Sequence, residues 1–320
     1  MKLLVIIVNY KTADLTIDAL ASLGPELGRI PGSRAIVVDN HSGDGSGARL
    51  REAIDSRGWN RWATLIEAER NGGFAYGNNV GIRAAWAEGL RPSYVHLLNP
   101  DTIVRPGALT TLLAFMDTRP EVGIAGSRLE DPDGTPQRSG FRFPTVMSEL
   151  DAGLRLGVVS RLLRRWEVAP PVQQQDCPVD WVAGASMIIR DKDLDDIGLL
   201  DESYFMYYEE VDFILRARRA GWPCWYVPES HVVHLVGQAS GVTDPQKARR
   251  RRPAYWFESR RRYFVRHLGA MGAGLADLAF AAGHLTWRAR RVLQGKADDQ
   301  PERFLRDFAQ HSVLRRGPGS

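Results

Sequence analysis

Short β-branched runs alternate with helix-like stretches through residues 3–118, and this rhythm constrains the fold more than any other feature of the chain. Residues 3–8, 35–38, 64–67 and 94–98 read as strands. Residues 13–23, 47–57, 77–88 and 107–118 read as helices, with Pro106 suited to a first helical turn. Strands separated by helices must cross over, which predicts an α/β fold whose largely parallel sheet is flanked by helices. In such a sheet ligands gather at the carboxyl ends of the strands. The notable polar groups fall at those ends: Asn9 and Tyr10, Asp39 and Asn40, Asn71 to Gly73, and Asn99 to Asp101.

Further along, residues 130–144 and 170–178 read as loops and residues 181–189 as another strand. Residues 207–219 read as a helix stopped by Gly221 and Pro223, and extended structure resumes over 224–227. A chain of 320 residues, 44% hydrophobic and 25% charged, can bury a full core, which excludes disorder as its main state. Cys177 and Cys224 are too few for a disulfide framework and lack zinc-ligand spacing, which points to a reducing, cytoplasmic compartment. The apolar start over residues 3–8 is shorter than a signal-peptide core and reads as a buried strand. No stretch reaches the roughly 20 uninterrupted apolar residues of a spanning helix. The expectation is a protein that is soluble or peripheral on the cytoplasmic face of the plasma membrane.

The formal charge of +4 hides an asymmetry. Beyond residue 240 there are 17 Lys or Arg against 7 Asp or Glu, so that region carries +10 and residues 1–240 carry −6. A basic tail on an acidic body suits an anionic partner such as phospholipid headgroups or diphosphates. Nucleic acid, resting only on the short run 249–252, is not expected.

Taken singly, each motif also has a plain structural account. Asp39 could receive a ribose hydroxyl or a base N–H, or simply form a turn. The turn Asn9-Tyr10-Lys11-Thr12 contains no glycine, which removes the central feature of a nicotinamide-dinucleotide site. The segment Asn71-Gly72-Gly73-Phe74-Ala75-Tyr76-Gly77-Asn78-Asn79 sets glycines and amides where strand passes into helix, a place that favours phosphate and lets backbone N–H groups approach it. Asn99-Pro100-Asp101 ends an apolar strand with one carboxylate, which can suffice for a hard cation whose shell substrate and water complete. Glu209, Glu210 and Asp212 place three acids within four residues. The helix dipole accounts for one or two, and a division of labour between a general base and a group holding a hydroxyl or a loop accounts for all three. His231 and His234, three apart, should face opposite ways on a regular strand and not act as a pair.

In this order the motifs resemble glycosyltransferase family 2, of the GT-A fold, and particularly its bacterial rhamnosyltransferase-like branch. The resemblance covers roughly residues 3–267. It is carried by Val8-Asn9-Tyr10, Val38-Asp39-Asn40-His41-Ser42, Asn71-Gly72-Gly73-Phe74-Ala75, Leu98-Asn99-Pro100-Asp101, Trp181-Val182-Ala183-Gly184-Ala185 and Phe205-Met206-Tyr207-Tyr208-Glu209-Glu210-Val211-Asp212. It implies a catalytic domain over residues 1–240, with a nucleotide-binding half to about 125 and an acceptor half over 126–240, followed by a basic, mainly helical extension over 241–320. Donor-site residues would be Asn9, Tyr10, Asp39, Asn40, Asn71, Gly73, Phe74, Asn78, Asn99 and Asp101. Asp101 and His234 would bind a divalent cation, Mg2+ or Mn2+. Trp181, Gly184 and Ala185 would line the acceptor and sugar pocket, and Glu210, with Glu209 and Asp212, would supply the base. Two positions depart from the family pattern: Asn99 replaces the first acid of a strict DXD, and Glu210 stands where many relatives carry Asp.

The reaction so implied is an inverting transfer from a nucleotide sugar, with dTDP-rhamnose favoured and UDP-sugars next, to a glycan or polyprenyl-diphosphate-linked acceptor. Alternatives are a sugar nucleotidyltransferase, for which Asn9 to Thr12 lacks the expected glycine- and arginine-containing loop, or a non-catalytic glycan-binding relative. Leu275, Leu278, Ala282, Leu285, Ala289 and Val292 recur at helical spacing beside Arg288, Arg290 and Arg291. That stripe could meet an anionic bilayer, pack on the catalytic domain, or join two copies as a homodimer.

Overall fold

The computed structural model describes residues 1–235, 251–298 and 300–319. Gly237, Gln238 and Ser240, expected to follow the histidine pair, and the first two arginines of the 249–252 run lie outside the described residues. In chain order the elements are β1 (Leu3–Asn9), α1 (Ala13–Gly28), β2 (Ser33–Asp39), α2 (Ser46–Ser56), β3 (Ala63–Glu67), α3 (Gly73–Ala87), β4 (Tyr94–Leu98), β5 (Thr102–Val104), α4 (Ala108–Thr118), β6 (Ile124–Glu130) and β7 (Gly140–Phe141). Then come α5 (Val146–Leu154), α6 (Gly157–Leu162), β8 (Cys177–Val179), β9 (Trp181–Val182), β10 (Ser186–Arg190), α7 (Asp193–Ile197), α8 (Glu209–Arg219) and β11 (Cys224–His234). The chain closes with α9 (Ala254–Leu293), α10 (Phe304–His311) and α11 (Val313–Arg316).

The elements fall into two compact units, one made of residues 1–141, 171–205 and 209–241, the other of 142–170, 206–208 and 242–320. The first unit holds a mixed sheet in the order β3-β2-β1-β4-β10-β6-β11-β5, with β8 beside β11. Its leading strands, β3, β2, β1 and β4, are parallel, and every residue of β1 and β4 is buried, as apolar runs covered on both faces require. The chain leaves β1 toward β2 on one side and returns as β4 on the other, so the strand order reverses at β1, where ligand clefts form. Register pairs Asn9 with Asp39, which sets the two side chains on the same face at adjacent strand ends. β10 then runs antiparallel between β4 and β6, while β11 runs parallel to β6 and antiparallel to β5.

A chain of buried polar groups crosses this second half of the sheet. His96 on β4 meets the Ser186 hydroxyl at 3.0 Å, and Ser186 and Ser230 each lie 2.8 Å from Ser127. Burial lowers His96 to about 3, so it stays neutral and matches hydroxyl partners without a charge to compensate.

Three expected elements differ from those formed. The strand expected over 181–189 is two strands separated by a turn at 183–185, because Val182 pairs with Gly140 while 186–190 pairs with β4 and β6. The helix expected from 77 begins at Gly73, since the glycine-rich turn is itself the first helical turn, with the Asn71 side chain accepting the Gly73 N–H. The helix expected from 207 begins at Glu209, because Tyr207 and Tyr208 adopt left-handed φ values of 70° and 69°. Bulky residues rarely hold that conformation.

The second unit is helical. Gly269, with φ of 70°, breaks α9 into two stretches. An Arg260 guanidinium, buried in this unit, bonds Glu149 on α5 at 2.7 Å and Asp277 on α9 at 2.6 Å, and Asp277 also accepts the Val313 N–H. These bonds fix one side of α9. The side bearing Leu275, Leu278, Leu285 and Val292 is exposed, so the helix-period stripe does not pack on its own unit. By length and composition α9 contains a stretch apolar enough to cross a bilayer, although no uninterrupted apolar run of that length marks it in the sequence.

Candidate active site

The carboxyl ends of β1 and β2 carry a closed polar cluster. Asn9, fully buried, donates its amide to Asp39 at 2.6 Å and to the Ser42 hydroxyl at 3.2 Å, while its carbonyl receives the hydroxyls of Thr12 and Thr16. Ser42 in turn donates to Asp39, and the Lys11 N–H donates to Ser42. Asn9 thus spends its hydrogen-bonding capacity on holding Asp39. Tyr10 beside it is 41% exposed.

The next strand end is built around Gly73. Asn40 donates to the Asn71 side chain and the Gly73 carbonyl, and the Phe74 N–H donates to the Phe205 carbonyl at 3.1 Å. Gly73 has φ of 83°, and a Cβ there would fall 1.7 Å from the Phe205 oxygen, so this position admits glycine alone. Asn40 Oδ1 is buried and has no hydrogen-bond partner among the described residues. Asn78, one turn into α3, donates to the Phe74 carbonyl.

Asn99, Pro100 and Asp101 form the tight turn between β4 and β5. Because β5 pairs antiparallel with β11, aligning Thr102 with His234, the imidazole comes to the side of Asp101, with Nε2 3.5 Å from Oδ1. His231 goes elsewhere and meets Glu130 at 3.0 Å, in keeping with opposite faces. One oxygen and one imidazole nitrogen at this spacing can share a single cation if substrate and water complete its shell. Among the described residues no group of three or more His, Cys, Asp or Glu side chains converges here.

Glu209 and Glu210 open α8. Burial raises Glu209 well above the usual carboxyl range, and the neighbouring Glu210 charge raises it further. Burial raises Glu210 to about 7, with the N–H groups of Glu210 and Val211 pulling the other way. One oxygen of each, Oε2, has no hydrogen-bond partner among the described residues. Asp212 is placed differently: Arg216 bonds it at 2.9 Å, Tyr204 approaches at 3.4 Å, and the same arginine reaches the carbonyls of Ile197 and Leu199. It anchors the loop before α8.

The turn at 183–185 joins these parts. The Ala185 carbonyl accepts the Asn99 N–H at 3.0 Å. A Cβ on Gly184 would lie 3.3 Å from the Phe74 ring and 3.8 Å from Glu210 Cβ. Trp181 stacks on Phe141 with ring centroids 4.2 Å apart. Motifs spread over more than a hundred residues therefore meet at one end of the sheet. Ser42 as the second holder of Asp39, Phe205 as the stop for Gly73 and Arg216 as the partner of Asp212 were not singled out from sequence. Only the Arg216 pairing left a signal there, its spacing of four from Asp212 on a helix.

Comparison with known proteins bears on the family and the fold. The family described as Glycosyl transferase family 2 matches residues 4–162. N-acetylglucosaminyl-diphospho-decaprenol L-rhamnosyltransferase of Mycobacterium tuberculosis is 30% identical over 156 residues, covering 46% of this chain and 48% of that protein. Rhamnosyltransferase WbbL of Escherichia coli is 30% identical over 171 residues, covering 51% of this chain and 61% of that protein. The chain therefore aligns with only about half to three fifths of these relatives' length. The mannosyltransferase PcManGT of Pyrobaculum calidifontis, solved in complex with GDP-Man and Mn2+, superposes with a TM-score of 0.53 at 15% identity, covering 99% of this chain and 84% of that one. That likeness shows the GT-A fold. With the motif order, the fold and the matched relatives in agreement, the chain belongs through residues 4–162 to glycosyltransferase family 2, and it is similar there to rhamnosyltransferases.

Proposed function

We propose that the protein is an inverting glycosyltransferase. It would move a sugar, with rhamnose from dTDP-rhamnose the favoured case and another deoxysugar or hexose next, onto a hydroxyl of a glycan or polyprenyl-diphosphate-linked acceptor in cell-envelope polysaccharide synthesis. The observation that carries this reading is the 183–185 turn, which bonds the Asn99–Asp101 turn through Ala185 and leaves at Gly184 a space, bordered by Phe74 and Glu210, that a Cβ would enter. That neighbourhood supports reading Glu210 as the proton acceptor and the Asn99–Asp101 turn as the diphosphate side of the site. The rhamnosyltransferase names of the matched relatives support the choice of sugar, and the lipid-linked substrate in the first name supports the choice of acceptor.

In this mechanism Asp39, held by Asn9 and Ser42, receives the donor's nucleoside, so Asn9 acts as a positioning residue. Asn40 Oδ1 and the first turn of α3 face the donor from the neighbouring strand end. Asp101 and His234 would hold a divalent cation, Mg2+ or Mn2+, which when bound neutralises charge on the diphosphate. Glu210 takes the proton of the acceptor hydroxyl as that oxygen bonds to the anomeric carbon, and the bond from that carbon to the diphosphate oxygen breaks. The nucleoside diphosphate leaves with the electron pair, and one displacement inverts the anomeric centre. A base near 7 is matched to this task at cytoplasmic pH.

Thermal unfolding with dTDP, UDP and GDP, each with and without Mg2+ or Mn2+, tests nucleotide, metal and class together. A ligand that binds only the folded chain adds about 2.7 kcal/mol at a hundredfold excess over its Kd. One nucleotide should raise Tm, more so with metal. No shift with any of the three would remove the reading.

A further inference from the structure

The helical unit carries an apolar surface that its own fold leaves uncovered. Beyond the Gly269 break, Met271, Leu275, Leu278, Leu285 and Val292 lie along one side of α9, and all are exposed, Leu278 by 54% and Leu285 by 55%. From Met271 to Thr286 that side bears no charged residue. The one acid on this stretch, Asp277, points inward to Arg260 and Ser312.

The same unit adds apolar groups at both ends of the strip. Near its start, Leu314 is 61% exposed, and a Cβ on Gly274 would lie 3.2 Å from its Cδ2. Near its end, Arg290 bonds the carbonyls of Leu154 and Arg155, so the chain runs from there into α6, whose Leu162 is 77% exposed. Arginines accompany the apolar groups at each end. Arg315 and Arg316 follow Leu314; Arg161, Arg164 and Arg165 surround Leu162; and Arg288 lies beside Leu285. All six are exposed, and residues 155–166 contain no acid.

We propose that this strip seats the protein on an anionic phospholipid bilayer. The apolar side chains would enter the boundary between headgroups and acyl chains, and the arginines would meet lipid phosphates. Charge decides against the other occupant of such a strip, a second copy of the chain. Parallel pairing brings Arg288 onto Arg288. Antiparallel pairing brings the Arg315 end, where Arg316 is paired with Glu258 at 3.5 Å, onto the end bearing Arg161, Arg164 and Arg288, so like charges meet either way. The bonds of Asp277 to Arg260, Ser312 and Val313 hold one flank of α9 in protein, which makes it a helix lying on the bilayer rather than one crossing it. This inference stands on the helical unit alone and does not depend on the reaction proposed above.

The test is sedimentation of the full chain with vesicles of phosphatidylcholine alone and of phosphatidylcholine with equal phosphatidylglycerol. The chain should pellet with the mixed vesicles, and binding should weaken about tenfold or more in Leu278→Gln/Leu285→Gln and again in Arg161→Gln/Arg164→Gln. Both variants change exposed side chains, so their Tm and their response to nucleotide should match the native chain. Equal pelleting of native and variant chains would overturn the proposal. A native chain that light scattering shows to be a dimer, and that the leucine variant turns into a monomer, would overturn it in favour of a second copy.

Discussion

Glu210→Gln separates a catalytic carboxylate from a structural one, because the two roles predict opposite effects on stability. Burial raises the Glu210 carboxyl from 4.5 to about 7. A group that binds its proton more tightly in the folded chain contributes stability fully below its unfolded value, and that contribution is lost as pH rises through the folded value. For Glu210 the loss therefore runs from about pH 4.5 to about pH 7. At about 1.4 kcal/mol per tenfold in proton affinity, ionising it at about pH 8 costs the fold about 2–3 kcal/mol, the cost of taking its charge out of water. Gln keeps the shape and removes the charge. The variant should be about 2 kcal/mol more stable than the native chain in urea at about pH 8, and equal to it at about pH 4. Turnover should fall by about 10²–10⁴ with nucleotide affinity unchanged. In the native enzyme kcat/KM should rise about tenfold per pH unit up to about 7 and then level. A variant less stable than the native chain at about pH 8, or one that turns over normally, would refute the assignment.

Gly73→Ala should cost about 2–4 kcal/mol in urea unfolding and weaken nucleotide binding, because its methyl meets the Phe205 carbonyl at a φ that alanine also resists. Unchanged stability would show that the 205 loop yields freely. Asp193, fully buried in the first unit and raised to about 6 by burial, has no hydrogen bond to either carboxylate oxygen among the described residues. Its stabilising contribution is lost as pH rises from about 4 through about 6, so Asp193→Asn should stabilise the chain by about 2 kcal/mol at about pH 8 and leave it unchanged at about pH 4. Urea midpoints at the two pH values check both halves.

The sequence by itself determined the leading half of the sheet and the positions of its polar strand ends. That half is built from local alternation: the runs of β1 and β4 are buried on both faces, each crossover is a helix of its own, and strand ends follow directly, which is why Asn9, Asp39, Asn71 and Asp101 could be named without coordinates. The order of motifs determined the family for the same reason. What only the tertiary structure decided involves partners far apart in the chain. β10 inserts antiparallel between β4 and β6, and no local periodicity announces where a strand will pair, so the break at 183–185 and the nearness of Gly184 to Phe74 and Glu210 were hidden. The pairing of β5 with β11 brings His234 to Asp101, a juxtaposition across more than a hundred residues. The acids at 209–212 looked alike in sequence, and burial and partners then divided them: Asp212 is paired with Arg216, while Glu209, buried, and Glu210, half-buried beside it, are driven toward protonation. Likewise the period of the 275–292 stripe marked a helix with an apolar side, and only the ion pairs of Asp277 with Arg260 decided that the opposite side would be the one turned inward. Ionisation and exposure depend on what surrounds a side chain in space, and the order of residues along the chain does not contain that.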